Sequence, residues 1–396
     1  MRSWRRKFAL VCGTSSLFSL PAAAAQTVPA KPPAIALLDS GDLAQWQAWT
    51  QPAGWRVLAP SVPAGANLDA RVQAVAQQVE EAVRDGSIDP ARVYLAGRGD
   101  LSAAVFYAVS RVPDLWAAAA ALGGSPRAAI DSDRLYAANF TNVPMLWISS
   151  SPNDQTIAEQ LQSAGLRLEW RAAANPNAGA LLDWLAQHRR DPAPPTIDCE
   201  TDSKSFAICY WIRITKYDPD ERNEVLPSTR VPATTRASLD LGEFGFKPDS
   251  PGPGVLVGFL GPKYSGPLKV GDRIVALEGR EIADAPHYLA LMSQITEERP
   301  AAVTVERGKE RIRLETNIVL PRRVPVTTAR VQAQFLPQDQ QIRIVSRTIT
   351  EMRVTVPAAW VPAMLNWNGV PLERVETPGC RLLFMEKAIE HAGACP

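Results

Sequence analysis

The chain has 396 residues, of which 46% are hydrophobic, so it can bury the cores of about two or three globular domains. Its 42 Lys and Arg residues nearly balance its 41 Asp and Glu residues, which gives a formal net charge of +1. This balance excludes the large excess of positive charge with which proteins bind nucleic acid or anionic membrane surfaces.

The N-terminus has the three parts of an export signal. A basic start, MRSWRRKF, is followed by a short apolar run, ALVCGTSSLFSL, and by small residues, PAAAAQ. This order predicts a signal peptide over residues 1–25, cleaved after Ala25, and a spacer over residues 26–33. Arg5 and Arg6 faintly resemble a twin-arginine signal, but we favour a general secretory signal. The apolar run is too short to span a bilayer, so we expect a periplasmic or secreted protein with no transmembrane segment after cleavage.

Four cysteines remain after the predicted cleavage, and they can pair in three ways. Pairing between sequence neighbours, 199 with 209 and 380 with 395, is the simplest arrangement, and free thiols are the alternative. The chain has only three histidines, and none has metal-site spacing to these cysteines, so we predict no metal and no cofactor. The candidate disulfide residues are Cys199, Cys209, Cys380 and Cys395.

Residues 34–195 alternate short apolar runs with segments of helical periodicity. Nearly continuous apolar strands that alternate with helices indicate a parallel sheet covered on both faces, and hence an α/β domain. The predicted strands are 34–38, 55–58, 92–96, 117–122, 143–148 and 167–171, and the predicted helices are 68–84, 102–112, 156–163 and 178–189.

The composition changes after the proline-rich break at 191–195. Residues 196–237 and 321–396 contain runs of aromatic and β-branched residues, which predict antiparallel strands of an all-β accessory region. Between them, residues 238–320 have short strands, one helix and glycine turns, as is typical of a compact α+β domain. The predicted strands are 206–216, 301–306, 311–316, 329–335, 341–346 and 352–356, and the predicted helix is 285–295.

One strand-turn-helix segment of the first half resembles a known family. The stretch SIDPARVYLAGRGDLSAAVFYAVSRVPDLWAAAAALGG is similar to the nucleophile elbow of the α/β-hydrolase fold, particularly in secreted esterases of the polyhydroxyalkanoate-depolymerase and feruloyl-esterase kind. The resemblance implies a G-x-S-x-G turn with the nucleophile at its centre. Gly97 then takes the first small position, Gly99 the nucleophile position and Leu101 the second small position. Glycine has no side chain with which to attack a substrate.

The other catalytic components that this resemblance implies also depart from the pattern. The loop that would hold the general base, AAANPNAGA, contains Asn177 but no histidine. His188, the only histidine of this half, is interpreted as a solvated residue at a helix end. Asp154 matches the third triad position, where aspartate is also a common helix cap. Asp39 begins a DSG stretch at the place where related enzymes often carry a His-Gly oxyanion loop.

Two residues of the elbow could replace the missing nucleophile. Asp100 would require a small residue at the position of Arg98, and Ser102 lies far enough into the helix to face the packing. We disfavour both, and interpret the domain as a pseudo-hydrolase with degenerate positions at Gly99, Asp154 and Asn177.

The second resemblance lies in residues 254–282, GVLVGFLGPKYSGPLKVGDRIVALEGREI, which are similar to a bacterial PDZ domain. The resemblance implies that a peptide adds as a strand to one sheet edge beside a helix. It also implies that backbone N–H groups of a turn hold a terminal carboxylate.

The same resemblance assigns residues to the groove. His287 would begin the groove helix and contact a peptide hydroxyl, with Leu291 one turn later; equally, His287 could only cap a surface helix. Glu243 departs from the family pattern, because an acidic side chain repels a carboxylate, which indicates weak binding or binding of internal segments. The candidate peptide-binding residues are Phe244, Gly245, Phe246, His287 and Leu291.

Three functions follow from these features. The favoured one is an exported binding or scaffold protein that holds a protein or peptide segment in the PDZ-like groove beside an inactive hydrolase-like domain. The second is a secreted esterase or peptidase with a non-standard active site. The third is a structural module without a ligand.

Overall fold

The computed structural model describes residues 30–63, 65–151, 153–174, 176–220, 226–233, 237–247, 250–321 and 326–396. The predicted signal peptide, its cleavage site and most of the spacer lie outside these ranges. None of the helices within them is long and apolar enough to cross a membrane.

A six-stranded sheet forms the first domain. All of its strands are parallel, in the order β2-β1-β3-β4-β5-β6. The strands are β1 (Ala34–Leu37), β2 (Arg56–Leu58), β3 (Val93–Arg98), β4 (Ala118–Leu122), β5 (Met145–Ser149) and β6 (Leu168–Ala172). The helices are α1 (Leu43–Thr50), α2 (Leu68–Arg84), α3 (Leu101–Arg111), α4 (Arg127–Asp131), α5 (Asp154–Ser163) and α6 (Ala178–Ala186).

The strands of this sheet send alternate side chains into two separate cores. Ala34 and Ala36 of β1 pack in the core that contains α2, α3 and α5, whereas Ile35 and Leu37 pack with α1 and α6. Side chains on successive strand residues point to opposite faces, so a strand that is buried on both faces needs a continuous apolar sequence. The predicted α/β class, a parallel sheet covered on both faces, is confirmed.

The remaining elements are β-strands, nearly all in antiparallel pairs, and one helix. Before the inserted unit come β7 (Thr196–Thr201), β8 (Ile208–Cys209) and β9 (Ile212–Tyr217). The inserted unit comprises β10 (Ser238–Leu239), β11 (Phe244–Lys247), β12 (Val255–Leu260), β13 (Arg273–Leu277), β14 (Arg280–Glu281), α7 (Ala285–Ser293), β15 (Arg299–Arg307) and β16 (Glu310–Val319). After it come β17 (Ala329–Leu336), β18 (Gln341–Arg347), β19 (Ile349–Val356), β20 (Ala363–Trp367), β21 (Val370–Val375), β22 (Gly379–Glu386) and β23 (Ile389–Ala394).

The strands that flank the inserted unit combine into two five-stranded sheets around one core. Their orders are β21-β20-β18-β17-β7 and β23-β22-β19-β9-β8. Each sheet therefore mixes strands from before and after the insertion, and the predicted all-β region is confirmed. One disulfide joins Cys199 to Cys209 and another joins Cys380 to Cys395.

The inserted unit is a sheet in the order β10-β16-β15-β13-β12-β11, with β14 paired to β13. Its helix α7 contributes Tyr288 and Met292 to the core of the unit. Strand β11 is the last in this order, so the structure describes no strand paired with its outer side.

A buried ion pair joins the parallel-sheet domain to the accessory strands. Arg111, the last residue of α3, has a side chain only 1% exposed, and its Nη1 lies 2.6 Å from Oδ1 of Asp202, which is 2% exposed. Arg134 contacts the other carboxylate oxygen at 3.0 Å, and the ring of Phe206 covers the Arg111 guanidinium. Removal of one partner from such a pair leaves a buried charge uncompensated, so the loss of either Arg111 or Asp202 would strongly destabilise this junction.

The carboxylate of Glu200, on β7, holds both connections to the inserted unit. It is buried and accepts hydrogen bonds from the Ser228 hydroxyl at 2.5 Å, from the Thr229 N–H and hydroxyl at 2.6 and 2.8 Å, and from the Thr328 hydroxyl at 2.5 Å. Ser228 and Thr229 precede the inserted unit and Thr328 follows it. One side chain therefore fixes the two connections side by side.

Candidate functional site

The turn between β3 and α3 has the shape of an elbow. Gly99 lies there with φ +55°, the left-handed conformation that favours glycine. A Cβ atom on Gly99 would have no neighbour within 4 Å, so the turn would point a side chain at this position into open space. Gly97 packs against Val105 of α3, where a Cβ would lie 2.8 Å from a methyl group. The backbone thus presents position 99 outward, but the residue has no reactive atom.

Neither Ser102 nor Asp100, the two residues that could replace the nucleophile, has the surroundings of a catalytic nucleophile paired with a base. Ser102 is fully buried, and its hydroxyl donates to the carbonyl of Gly123 at 2.5 Å. Its proton is therefore used in the packing of α3 on the loop after β4, and the side chain is not accessible. Asp100 is exposed at the start of α3, and its side chain caps no helix N–H.

The other positions that the hydrolase resemblance singled out lie at the same edge of the sheet. Asn177, after β6, caps α6 by accepting the N–H of Ala180 at 3.0 Å. Asp154 is the first residue of α5, after β5, and is buried; the cap position itself belongs to Asn153. Asp154 and Asn177 both follow the carboxyl ends of parallel strands, as Gly99 does, so the topology places the three residues at the same edge of the sheet. Asp39, at the end of β1, pairs with Arg71 at 2.8 Å.

His188 lies at the opposite end of this sheet. Its carbonyl accepts the hydroxyl of Tyr94, which is near the beginning of β3, about 15 Å of strand away from Gly99. The ring is half-buried against Trp184, with centroids 4.5 Å apart, and burial lowers its pKa. His188 lies just after the end of α6, as predicted, but its ring is partly buried rather than solvated, because this end of α6 packs back onto the sheet. Within the described part of this domain, no histidine lies at the elbow.

A small cavity lies where α2 and the end of α3 meet β8. It has a volume of about 190 Å³, and its lining includes Glu80, Arg111 and Asp114. Asp114 is 8% exposed. Burial raises the pKa of the Asp114 carboxyl to about 6, and the nearby Arg190 opposes this increase. Perturbed carboxyls occur at functional sites, but the described lining contains no histidine to act with this one.

The second candidate site is the outer side of β11. Phe244, Gly245 and Phe246 are the first three residues of this strand and are partly exposed, and its last residue, Lys247, is exposed. The ring of Phe246 contacts Tyr288 of α7 edge-on, with centroids 5.8 Å apart. Helix α7 therefore stands beside the unpaired strand, and we name the space between them the edge groove. Sequence reasoning missed Tyr288, although it directly follows His287 on the same helix.

The two helix candidates lie in different surroundings. His287 is exposed, and its Nδ1 accepts the N–H of Ala283 at 3.1 Å, which orients the ring at the start of α7. Its own N–H donates to Asp284, the cap of the helix, at 2.8 Å. Leu291 is partly buried and lines a cavity of about 410 Å³ at the end of α7, together with Leu277, Ile295 and other residues. The structure brings Phe244, Gly245 and Phe246 into one strand, with α7 beside them.

No group of His, Cys, Asp and Glu side chains in the described ranges is arranged to hold a metal ion. The four cysteines of the described chain are all joined in disulfides, which removes them as thiolate ligands or nucleophiles.

Comparison with known proteins gives only partial likenesses. No family model matches the sequence, and no curated protein matches it. A thermostable esterase is 15% identical with a TM-score of 0.31, over 41% of this chain and 56% of the esterase chain. A single-residue variant of Arabidopsis thaliana SOBER1 is 13% identical with a TM-score of 0.31, over 40% of this chain and 99% of that chain. The HtrA-type protease AlgW with decapeptide is 18% identical with a TM-score of 0.18, over 23% of this chain and 31% of that chain.

The match thus spans little more than half of the thermostable esterase. Because all of these TM-scores are low, the functional assignment depends on the residues of this chain.

Proposed function

We propose that this protein is an exported binding protein in which the inserted unit, a PDZ-like domain, takes up an extended peptide segment of a partner protein. The parallel-sheet domain is then an α/β-hydrolase-like domain without catalytic activity, and it serves with the accessory sheets as a platform. The observation that carries the proposal is the unpaired outer side of β11 with α7 beside it.

An unpaired strand edge offers a row of backbone N–H and C=O groups to a partner. A peptide that adds as a further strand satisfies these groups, and its side chains enter pockets on either side. The partly exposed rings of Phe244 and Phe246 supply apolar surface for that contact. The exposed ring of His287, oriented by its bond to Ala283, is available for a polar contact at the start of α7.

The absence of catalysis is supported by several independent losses at the elbow. Position 99 is glycine, the hydroxyl of Ser102 is buried in a hydrogen bond, and Asn177 caps a helix where a general base would lie. Nucleophilic hydrolysis needs a nucleophile and a base within hydrogen-bond reach of one another.

The proposal is tested with a peptide-display screen against the protein from residue 26 onward. We expect enrichment of a defined motif and at least about tenfold weaker binding of the selected peptides by the variants Phe244→Ala and Phe246→Ala. Phe384→Ala, on β22 of the accessory region, is a matched control that should keep full affinity. If no sequence is enriched, or if the control loses as much affinity as the groove variants, the proposal is wrong and a ligand-free packing module remains.

A hydrolase is the second candidate, because the carboxylate of Asp100 is exposed at the elbow. A short-chain p-nitrophenyl ester measures turnover, and a fluorophosphonate probe detects a reactive serine. We expect neither turnover nor labelling. Turnover that disappears in Asp100→Asn, or labelling that disappears in Ser102→Ala, would instead establish the hydrolase.

A further inference from the structure

The turn before β11 is held in place by the segment that follows β12. Gly242 has φ +81°, and the Tyr264 ring stands against it, so that a Cβ on Gly242 would lie 2.8 Å from a ring carbon. The hydroxyl of Tyr264 accepts the N–H of Leu268 at 2.8 Å, which fixes the ring. Leu241, at the beginning of the turn, is buried. These contacts fix the shape of the surface at the beginning of β11.

Glu243 places a negative charge at this beginning. Its carbonyl accepts the N–H of Gly261 at 2.8 Å, and its side chain lies over Gly261, where a Cβ would collide with Oε2. The residue is exposed, and in the described ranges no cation forms an ion pair with it. Asp240, three residues earlier, is exposed as well and adds to the local negative charge.

A ligand carboxylate bound at the first N–H groups of β11 would lie within a few ångströms of the Glu243 carboxylate. Like charges at such separations repel even in water, and a side chain with a positive charge is attracted by the same amount. Because Glu243 is exposed, solvent and salt reduce the effect, so we expect changes in affinity of about threefold rather than a hundredfold.

We infer that the edge groove selects an extended segment with Lys or Arg opposite Glu243, and that it disfavours a free terminal carboxylate there. This inference rests on the proposed function, since it names the class of peptide that the same groove accepts. Charge complementarity at the beginning of β11 determines this selection, while the apolar rings of Phe244 and Phe246 provide contact that is independent of ligand charge.

Two display formats of random seven-residue peptides test the inference: one ends in a free carboxylate, and the other is flanked by chain on both sides. We expect the flanked format to be enriched, with Lys or Arg at one fixed position. The best flanked sequence is then synthesised as a free acid and as a C-terminal amide. The amide should bind at least about threefold more tightly, and the two forms should bind equally to Glu243→Gln.

Glu310→Gln is the matched control. It removes the same charge from the beginning of β16, and it should keep the wild-type preference. If the free acid binds more tightly to the wild-type protein, or if the preference is unchanged in Glu243→Gln, the inference is wrong and the proposed function stands. If neither format is enriched, the proposed function itself fails.

Discussion

The elbow and the edge groove differ in how they use their polar groups. Around the elbow, most side chains that could react are part of the local structure: Ser102 bonds a carbonyl, Asn177 caps a helix and Asp39 pairs with Arg71, whereas Asp100 is exposed. At the edge groove, the outer side of β11 has no described partner strand, and His287 is exposed. A region whose polar groups are satisfied internally contributes to stability, whereas a region with unsatisfied groups can bind. Substitutions should therefore separate the two: changes in the first domain should alter stability alone.

The largest effect on stability is expected where the first domain meets the accessory strands. Arg111→Ala leaves Asp202 buried without its closest cation and should lower the free energy of unfolding by about 3–5 kcal/mol. Denaturant titration of the whole chain measures this change. Arg134→Ala removes a partly exposed partner of the same carboxylate and should cost no more than about 1 kcal/mol. Equal losses in the two variants would contradict the burial argument, and peptide binding should persist in both.

The next prediction compares alanine substitutions at two glycines near the elbow. Gly99 and Gly124 have nearly the same φ, +55° and +58°, so alanine adds similar backbone strain at each. A Cβ on Gly124 would collide with the carbonyl of Gly99, whereas a Cβ on Gly99 meets nothing. Gly124→Ala should therefore destabilise by at least about 2 kcal/mol more than Gly99→Ala, whose cost is about 1 kcal/mol. Similar melting temperatures for the two variants would show that the loop shifts to relieve the contact.

Asp114 predicts a pH dependence of stability in the first domain. Its carboxyl has a pKa of about 6 in the folded protein against an ordinary value of 3.8, so the folded state binds the proton more tightly. This group therefore adds stability as the pH falls through 6 towards 3.8, by about 1 kcal/mol between pH 7.5 and 5. Asp114→Asn should remove this increase when unfolding is measured at both pH values. An increase that survives in the variant would assign it to another group.

The smallest effect on stability is expected at the edge groove, where Asp284 caps α7. Asp284 caps α7 by accepting the N–H of His287, so Asp284→Ala should cost about 1 kcal/mol or less of stability. Because the cap also orients the beginning of the groove helix, the same variant should weaken peptide binding measured by fluorescence polarisation. Asn177→Ala removes the equivalent cap from α6 and should leave binding unchanged. Equal effects of both variants on binding would remove the distinction between the two regions.

Much of the fold could be predicted because the spacing of apolar residues in the sequence indicates which side chains are buried. Helix α2 occupies the predicted residues 68–84, and its buried residues recur along one face. Helix α1 was missed, since only Trp46 and Thr50 of its eight residues are buried and its sequence shows little periodicity. Strands β20 to β23 were missed: they form two hairpins, β20 with β21 and β22 with β23, and these join their sheets through β18 and β19, which lie earlier in the chain.

The candidate site was predictable only where residue identity decides the chemistry. The lack of a nucleophile at Gly99 can be read directly from the sequence, whereas the bond of Ser102 to the carbonyl of Gly123 depends on the packing of β4 beside β3. The contact between Phe246 and Tyr288 joins residues 42 positions apart through the tertiary fold, and no local pattern indicates it. Charge at Glu243 was visible in the sequence, but its position over Gly261 was not.

Glu200 has a further consequence for the integrity of the chain. Because its carboxylate binds Ser228 and Thr229 on one side of the insert and Thr328 on the other, both severed ends would stay attached after a protease cut inside the insert. A nicked molecule should then migrate as a single species in native electrophoresis and separate into fragments only in detergent.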